Sequence, residues 1–416
     1  MKEASVLFAA PGLTLDGGNC PMKRLRVLMI APTSFFADYG CHVRIYEEAS
    51  ILQKMGHEVV ICTYNTGQDV KGLRIERAMG IPWHKRVEVG SSLHKVAFDL
   101  FLSLKASLVA LRWKPDIVHG HLHEGALIGF PLNLMRRVPL LFDFQGSLTS
   151  EMIDHHFLRP DGPFYRPMRR LEEVINGLPQ AIITNSQHAR SLLTGEFGCD
   201  EKRIHIVPDC VNPDIFQPLP DEGERLALKS RLGIPRERKV VVYLGLLAGY
   251  QGTGLLLEAI AHGGGRFADT HFLIMGYPAA SFYQRRAKEM GIGEKVTFTG
   301  RIPYFEAPRY LAVGDVAVAP KLSATEGNGK ILNYMSMALP TVAFDTPVNR
   351  EYLDKWGIYV EWGNHVAFAE ALISLLEDEE RALELGRQLR KRAIECYSWE
   401  GAGKEIVRVY EVCTGS

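Results

Sequence analysis

Short runs of consecutive aliphatic residues punctuate the first half of the chain at Arg26 to Ala31, Glu58 to Thr63, Ile117 to His119, Leu140 to Phe144, Ala181 to Thr184 and Ile204 to Val207. A second series follows at Val240 to Gly245, His271 to Met275, Lys295 to Thr299, Asp315 to Ala319, Thr341 to Phe344 and Ile358 to Val360. These runs lack in–out alternation, which predicts strands covered on both faces, and hence parallel sheets flanked by helices. Helix-patterned segments separate them, so the expected architecture is α/β, with two doubly wound units. Between the series, Pro208, Pro213, Pro218 and Pro220 forbid a regular helix and predict a stiff linker. The expected organisation is residues 1–21 as an extension ahead of Met22, units over 22–213 and 214–397, and a last segment 398–416. Ser398 is a suitable N-cap for a helix running to about Val412.

The stretch Val316 to Asp345 encodes strand, polar loop, helix and strand in succession. Gly327 and Gly329 let backbone amides approach an anion, and a helix over 329–338 would aim its positive end at the loop. Lys330 adds a full charge there, so the segment suits a diphosphate, although an ordinary strand-to-helix connection would look much the same.

Composition narrows the partners. With 48 basic and 48 acidic residues the formal net charge is +0, so nothing global favours nucleic acid or anionic lipid. The seven cysteines are odd in number and scattered, without metal-ligand or disulfide spacing, which reads as a reduced, cytoplasmic protein. The longest apolar stretch, Val96 to Leu111, is interrupted by Asp99 and Lys105 and does not reach the length of a membrane span, and the segment around it, Leu93 to Trp113, is apolar on most faces. Its simpler reading is burial in the core; a membrane-surface patch, with Arg166, Arg169 and Arg170 nearby, is the alternative.

Lys330-Ile331-Leu332, Tyr334-Met335, Pro340 and Val342 resemble the donor-binding helix of the family 4 GT-B glycosyltransferases, "KLLEYMAxGxPVVA". Several other motifs agree. Pro208 to Pro220 is similar to the family hinge, Ile274 to Pro278 to its "GxGP" strand end, Thr299 to Pro303 to its "FxGxVP" turn, and Tyr397 to Glu400 to the start of a terminal helix that crosses back onto the first domain. The resemblance spans Met22 to about Cys413 and implies two Rossmann-like domains facing a cleft. It further implies transfer from a nucleotide diphospho-sugar, without a metal, to a glycan, lipid-linked or small-molecule acceptor.

Carried over by position, the donor side comprises Gly245, Gln251, Gly252, Gly276, Arg301, Ile302, Lys321, Gly327, Asn328, Gly329, Lys330 and Asn333. Four positions depart from the family. Leu246 and Gln251 replace the arginine and lysine of "GRLxxxKG", Asn333 replaces the second loop glutamate, and Gln145 stands where a histidine is common. The first glutamate falls on Thr325 or, shifted by one, on Glu326. Lys330, Lys321 or Arg301 could restore the missing charge; a donor without a conventional diphosphate, or loss of catalysis, would explain the gap equally.

In the first unit, Gly40, His42, Arg44 and His121 are candidates for the acceptor and phosphate loop. Glu326, Asp143 and Gln145 are the catalytic candidates: Asp143 ends a strand at the carboxyl edge of the sheet, as base, acceptor-orienting group or simple strand-end cap. His119, His121 and His123 alternate in a way that suggests a metal, yet no carboxylate motif accompanies them and no Asp-x-Asp exists in the chain, so no metal or other cofactor is expected. No nucleic-acid partner is expected, and a peripheral place at the inner membrane face is compatible with a cytoplasmic protein. An epimerase on the same fold and a non-catalytic nucleotide-sugar-binding protein remain as alternatives.

Overall fold

The structure is a computed structural model describing residues 23–37, 40–80, 95–155, 157–219, 221–323 and 327–415. The expected extension, residues 1–21, lies outside the described residues, as do Thr325, Glu326 and Pro220. Seven parallel strands build the first sheet: β1 (Arg26–Ala31), β2 (Glu58–Thr63), β3 (Arg74–Arg77), β4 (Ile117–His121), β5 (Leu140–Phe144), β6 (Ala181–Thr184) and β7 (Ile204–Ile206). Their spatial order is β3-β2-β1-β4-β5-β6-β7. Six more build the second: β8 (Lys239–Leu244), β9 (Thr270–Met275), β10 (Val296–Gly300), β11 (Val316–Ala319), β12 (Thr341–Phe344) and β13 (Ile358–Val360), in the order β10-β9-β8-β11-β12-β13. In both sheets the order reverses beside the first strand, the place where open parallel sheets leave a crevice at their carboxyl ends.

Every aliphatic run became a strand; the central ones, such as β1, β5 and β12, are buried on both faces, while β7, β10 and β13 toward the sheet edges are mostly half-buried. The edge strand β3 was not foreseen: its sequence Arg-Ile-Glu-Arg is half exposed and carries no apolar run. Helix α1 (Gly40–Lys54) buries His42, Ile45, Ala49 and Leu52 on one stripe against the first sheet. It also packs on the C-terminal helix Trp399–Thr414, which Ser398 N-caps through the Gly401 amide. Gly403 sits at that contact, where an added methyl would lie 2.7 Å from Ile51. This helix therefore returns to the first sheet, and Tyr410 bonds His119 of β4 at 2.8 Å.

The other face of the first sheet is covered by α2 (Lys95–Trp113) and α3 (Leu122–Arg136), and α4 (Leu148–Asp154) packs on α5 (Tyr165–Gly177), which in turn packs on α3. Here the expected burial of the most apolar helix needs correction. Phe98, Leu102, Ala106, Val109 and Ala110 are buried, but Val96, Leu100, Leu104, Leu108 and Leu111 are 50–75% exposed in one ridge along α2. A helix apolar all round satisfied the sheet with one stripe and left the opposite stripe uncovered.

The two halves meet through side chains as well as the linker. The Tyr304 hydroxyl donates to Glu47 Oε1 of α1 at 2.8 Å, and Phe36, Tyr46, Tyr304 and Phe305 pack ring against ring around it. In the linker, Val211 and Phe216 are buried, and the Val211 amide donates to the Tyr397 carbonyl where the chain crosses back.

Candidate active site

The carboxyl ends of both sheets face each other across a cleft of about 320 Å³. Its donor-side wall is built where β8, β9 and β11 end. Gly245 follows β8 at φ +152°, a backbone conformation that favours glycine, and a Cβ there would stand 2.8 Å from Lys330 Nζ, so the lysine end passes close over the backbone. Lys330 opens the short helix Lys330–Ser336, three residues shorter than the sequence suggested. Its ammonium donates to Gln251 Oε1 at 2.7 Å and to the Tyr243 hydroxyl at 3.3 Å, and lies 4.6 Å from the Tyr243 ring centre. The glutamine standing where the family places a lysine thus holds a lysine that arrives from another element.

Lys321 is buried and donates to the Gly327 carbonyl at 2.7 Å, bracing the loop from within. Asn328 is fixed by Asn349, at 2.9 Å. Gly276, Ile302, Gly329 and Asn333 complete the expected donor wall. Gly327 presses on the first unit, for a Cβ there would lie 2.5 Å from both Asn185 Nδ2 and Asp209 Oδ2.

Two expected donor residues lie elsewhere. Arg301 is exposed, its guanidinium 5.5 Å from the Tyr277 ring centre, and does not line the cleft. Gly252 sits behind the wall, against the Pro320 carbonyl at the start of helix Thr253–Gly263. Both turns keep the family spacing, but spacing alone does not say which way an arginine leaves the turn.

On the first-unit wall Gly40, Arg44 and Gln145 line the cleft, whereas His42, His121 and Asp143 do not. His42 belongs to the inner stripe of α1 and stacks on Phe35. His121 and Asp143 are opposite each other in the β4–β5 register, on the sheet face covered by α1 and the C-terminal helix, and both are fully buried. Strand alternation thus turns their side chains beneath helices instead of into the cleft.

There they form a charge network around Arg44. Its Nε donates to both Asp143 oxygens, at 3.1 and 3.0 Å, its Nη1 to Asp209 at 3.0 Å, and its Nη2 to the Val207 carbonyl at 3.1 Å. Glu48, one turn along α1, lies 3.0 Å from the same guanidinium. Burial opposes the charge on Arg44, but Asp143, Glu48 and Asp209 outweigh it and hold the guanidinium protonated. Burial would also raise Asp143; the guanidinium and the His121 hydrogen bond overcome it, keeping this carboxyl below its usual range. Glu48 goes the other way: burial pushes it well above the carboxylate range despite Arg44. Asp143 as a cleft base is therefore corrected to a buried counter-ion whose lone pairs are taken by Arg44, His121 and Gln145.

Glu48, His119, His121 and Asp143 bring ligand atoms within 4.8 Å of one another. The Arg44 cation already lies among them, so a divalent ion would stand beside a fixed positive charge, and the set fits a metal poorly.

Sequence reasoning missed Glu124, Glu151, His155 and Tyr250, all of which line the cleft. Glu124 and Glu151 lie in the first turns of α3 and α4, the helices that follow β4 and β5, and that position beyond the carboxyl edge was the available signal.

The Glycosyltransferase Family 4 model matches residues 40–215, and the Glycosyl transferases group 1 model matches 238–378. A D-inositol 3-phosphate glycosyltransferase of Corynebacterium glutamicum is 22% identical over 396 residues, 89% of this chain and 91% of that protein. A GDP-mannose-dependent alpha-(1-6)-phosphatidylinositol monomannoside mannosyltransferase of Mycolicibacterium smegmatis is 31% identical over 233 residues, 54% of this chain and 60% of its own length. Among solved structures, Anabaena Alr3699/HepE in complex with UDP and glucose superposes with a TM-score of 0.76 at 15% identity, over 94% of this chain and 100% of that one. With both sheets, the cleft between them and the two matched segments in agreement, the chain is a GT-B glycosyltransferase of family 4.

Proposed function

We propose that this glycosyltransferase moves a hexose from a UDP- or GDP-linked sugar to a hydroxyl of a glycan, lipid-linked or small-molecule acceptor, with retention of configuration and without a metal ion. The observation that carries this reading is the Lys330 ammonium, pinned by Gln251 and Tyr243 beside the Gly327–Gly329 turn. It supplies a cation where the family's arginine and lysine are absent, in reach of a diphosphate on the loop amides. The names of the relatives, one GDP-mannose-dependent and one solved with UDP and glucose, support the donor class.

In the reaction the anomeric carbon–phosphate oxygen bond breaks and the acceptor oxygen bonds to the same face of that carbon. Lys330 and the loop amides stabilise the negative charge gathering on the departing diphosphate, which takes the acceptor's proton. Asn333 is placed on the donor wall to bond the ribose, and Glu326 is assigned to the sugar hydroxyls. Incubation with UDP-, GDP- and ADP-hexoses and an acceptor panel, with and without EDTA, tests this reading. NMR of the new linkage should show the donor's anomeric configuration, and EDTA should change nothing. Nucleotide-sugar turnover without an acceptor would establish the epimerase alternative, and nucleotide binding without any turnover the binding-protein alternative.

Peripheral contact with an anionic membrane surface belongs to the same proposal. The exposed α2 ridge is flanked by exposed Leu127, Leu134 and Met135 of α3 and by exposed Arg112, Arg136 and Arg137. No helix among the described residues is long and apolar enough to cross a membrane. Co-sedimentation with anionic vesicles should be lost in a Leu100→Gln/Leu104→Gln variant that keeps its activity on soluble acceptors.

A further inference from the structure

We propose that Asp209 of the linker is a positioning residue for sugar transfer: it seats the Gly327–Lys330 turn of the second unit on the first unit, so that donor and acceptor meet in register. This role rests on the glycosyl-transfer reading for what the cleft does, but the contacts that define it do not. Asp209 stands where the chain leaves β7, and it lines the cleft. On the first-unit side its Oδ1 accepts from Arg44 Nη1 at 3.0 Å, and the same guanidinium binds the Val207 carbonyl at 3.1 Å. Side chain and preceding backbone are thereby fixed to α1. On the second-unit side its Oδ2 accepts from the Tyr352 hydroxyl at 3.4 Å. The same oxygen meets the donor turn, since a Cβ on Gly327 would lie 2.5 Å from it and one on Gly329 3.6 Å from it. Two glycines of the turn thus face one carboxylate that the other unit holds, and at Gly327 the approach leaves no room for a side chain.

The short helix Pro347–Leu353 ties this contact into the donor unit. Its Asn349 accepts from the Asn328 amide of the turn at 2.9 Å, and its Tyr352 reaches Asp209. Between them Glu351 crosses to the first unit, where its two oxygens accept from the Gln187 backbone amide at 3.1 and 3.0 Å. Gln187 opens the helix Gln187–Gly195 just after Asn185, and Asn185 Nδ2 is the second atom 2.5 Å from a Gly327 Cβ. The turn is therefore braced from its own side by Asn349 and by the Lys321 bond to the Gly327 carbonyl, and pressed from the other against Asn185 and Asp209.

Asp209 is the member of this contact that belongs to the linker, so a rotation of one unit against the other about the linker would part the turn from its seat. Lys330 opens the helix that follows the turn and would move with it. Transfer needs reacting atoms held about 3–3.5 Å apart, and a seat between the units sets that distance without touching either substrate. Both Asp209 oxygens are engaged by protein groups, Oδ1 by Arg44 and Oδ2 by Tyr352, which suits a residue that fixes geometry.

The test compares Asp209→Ala with Asp209→Asn in the full-length protein, with melting temperatures to verify folding. Hydrogen exchange without any ligand reads the seat itself: residues 327–336 should exchange at least about tenfold faster in Asp209→Ala and at the wild-type rate in Asp209→Asn, which keeps an acceptor atom for Arg44. Calorimetry with UDP and GDP should give affinities within about threefold of wild type in both variants, because the donor groups lie on the second unit. In transfer from UDP- or GDP-hexose, Asp209→Ala should lower kcat about a hundredfold with little change in donor KM, as a displacement of about 1 Å does, and Asp209→Asn should recover most of it. Asn185→Ala removes the other half of the seat outside the Arg44 network; it should speed the same exchange and lower kcat in the same way, and it carries the test should Asp209→Ala fail to fold. Unchanged exchange in the alanine variants, a loss confined to nucleotide affinity, or an Asp209→Asn variant as slow as Asp209→Ala would overturn the proposal, the last because it would make the carboxylate's charge act on substrate. A wild type that transfers no sugar while residues 327–336 still respond to Asp209→Ala would refute the transfer reading and leave the seat in place.

Discussion

Replacing Arg44 by methionine is the perturbation whose consequences the structure specifies most fully. The guanidinium is 3% exposed and joins α1, β5 and the linker through Glu48, Asp143 and Asp209. Methionine fills much of the same volume but leaves Asp143 buried without its cation. Breaking a buried ion pair from one side costs roughly 3–5 kcal/mol, because the stranded charge cannot be resolvated. That is a substantial part of the stability of an ordinary domain, so an early-melting first unit is expected.

The pH dependence distinguishes this cause from simple loss of packing. In the wild type Asp143 is held below its unfolded value, so its contribution is present above about pH 4 and is lost only as pH falls through the depressed folded value. Without Arg44, burial dominates and raises the same carboxyl, so the variant is most stable when Asp143 is protonated and loses stability as pH rises. Melting and urea unfolding of both proteins between pH 4.5 and 8 should therefore show a gap that widens with pH. Arg44→Met/Asp143→Asn should close most of it. A pH-independent gap, or a loss below about 1 kcal/mol, would refute the charge network as described.

Other outcomes follow from the same contacts. Burial raises Glu48, so the folded chain binds a proton there that the unfolded chain releases above about pH 4.5. Stability from this group is full below that value and is lost as pH rises through the folded value, and Glu48→Gln should flatten the melting profile over that window. Gly403→Val would drive side-chain carbons into Ile51 and Met55, and should undock the C-terminal helix at a cost of roughly 1–3 kcal/mol, read as faster hydrogen exchange over residues 399–414. Tyr304→Phe leaves buried Glu47 without its hydroxyl partner and should cost about 1–3 kcal/mol and loosen the contact between the halves, visible as a larger radius of gyration by X-ray scattering.

The strands were legible because central parallel strands are buried on both faces, and continuous aliphatic runs such as Leu140–Phe144 report that directly. Lys330 and its glycines were legible because the phosphate-cradle chemistry is local in sequence. What the sequence hid is non-local. Nothing near Asp143 announces Arg44, 99 positions away, or shows that β4 and β5 pair so that His121 and Asp143 meet under a helix. Gln251 read as a lost cation; only the fold shows that it anchors one from 79 positions on. The exposed ridge of α2 escaped for a similar reason, since apolar content says that a helix can be buried but not which stripe finds a partner.

The central claim is a nucleotide diphospho-sugar site whose cation is Lys330, and calorimetric titration with UDP, GDP, ADP and their hexose conjugates tests it most directly. Lys330→Met is the informative comparison, because it keeps much of the stem over Tyr243 while deleting the charge. The account predicts selective binding of one nucleotide family by the wild type, weakened about 10- to 150-fold in the variant, the equivalent of roughly 1.5–3 kcal/mol for one charge-assisted contact. Absence of binding to any of these nucleotides, or equal affinity in the two proteins, would contradict it.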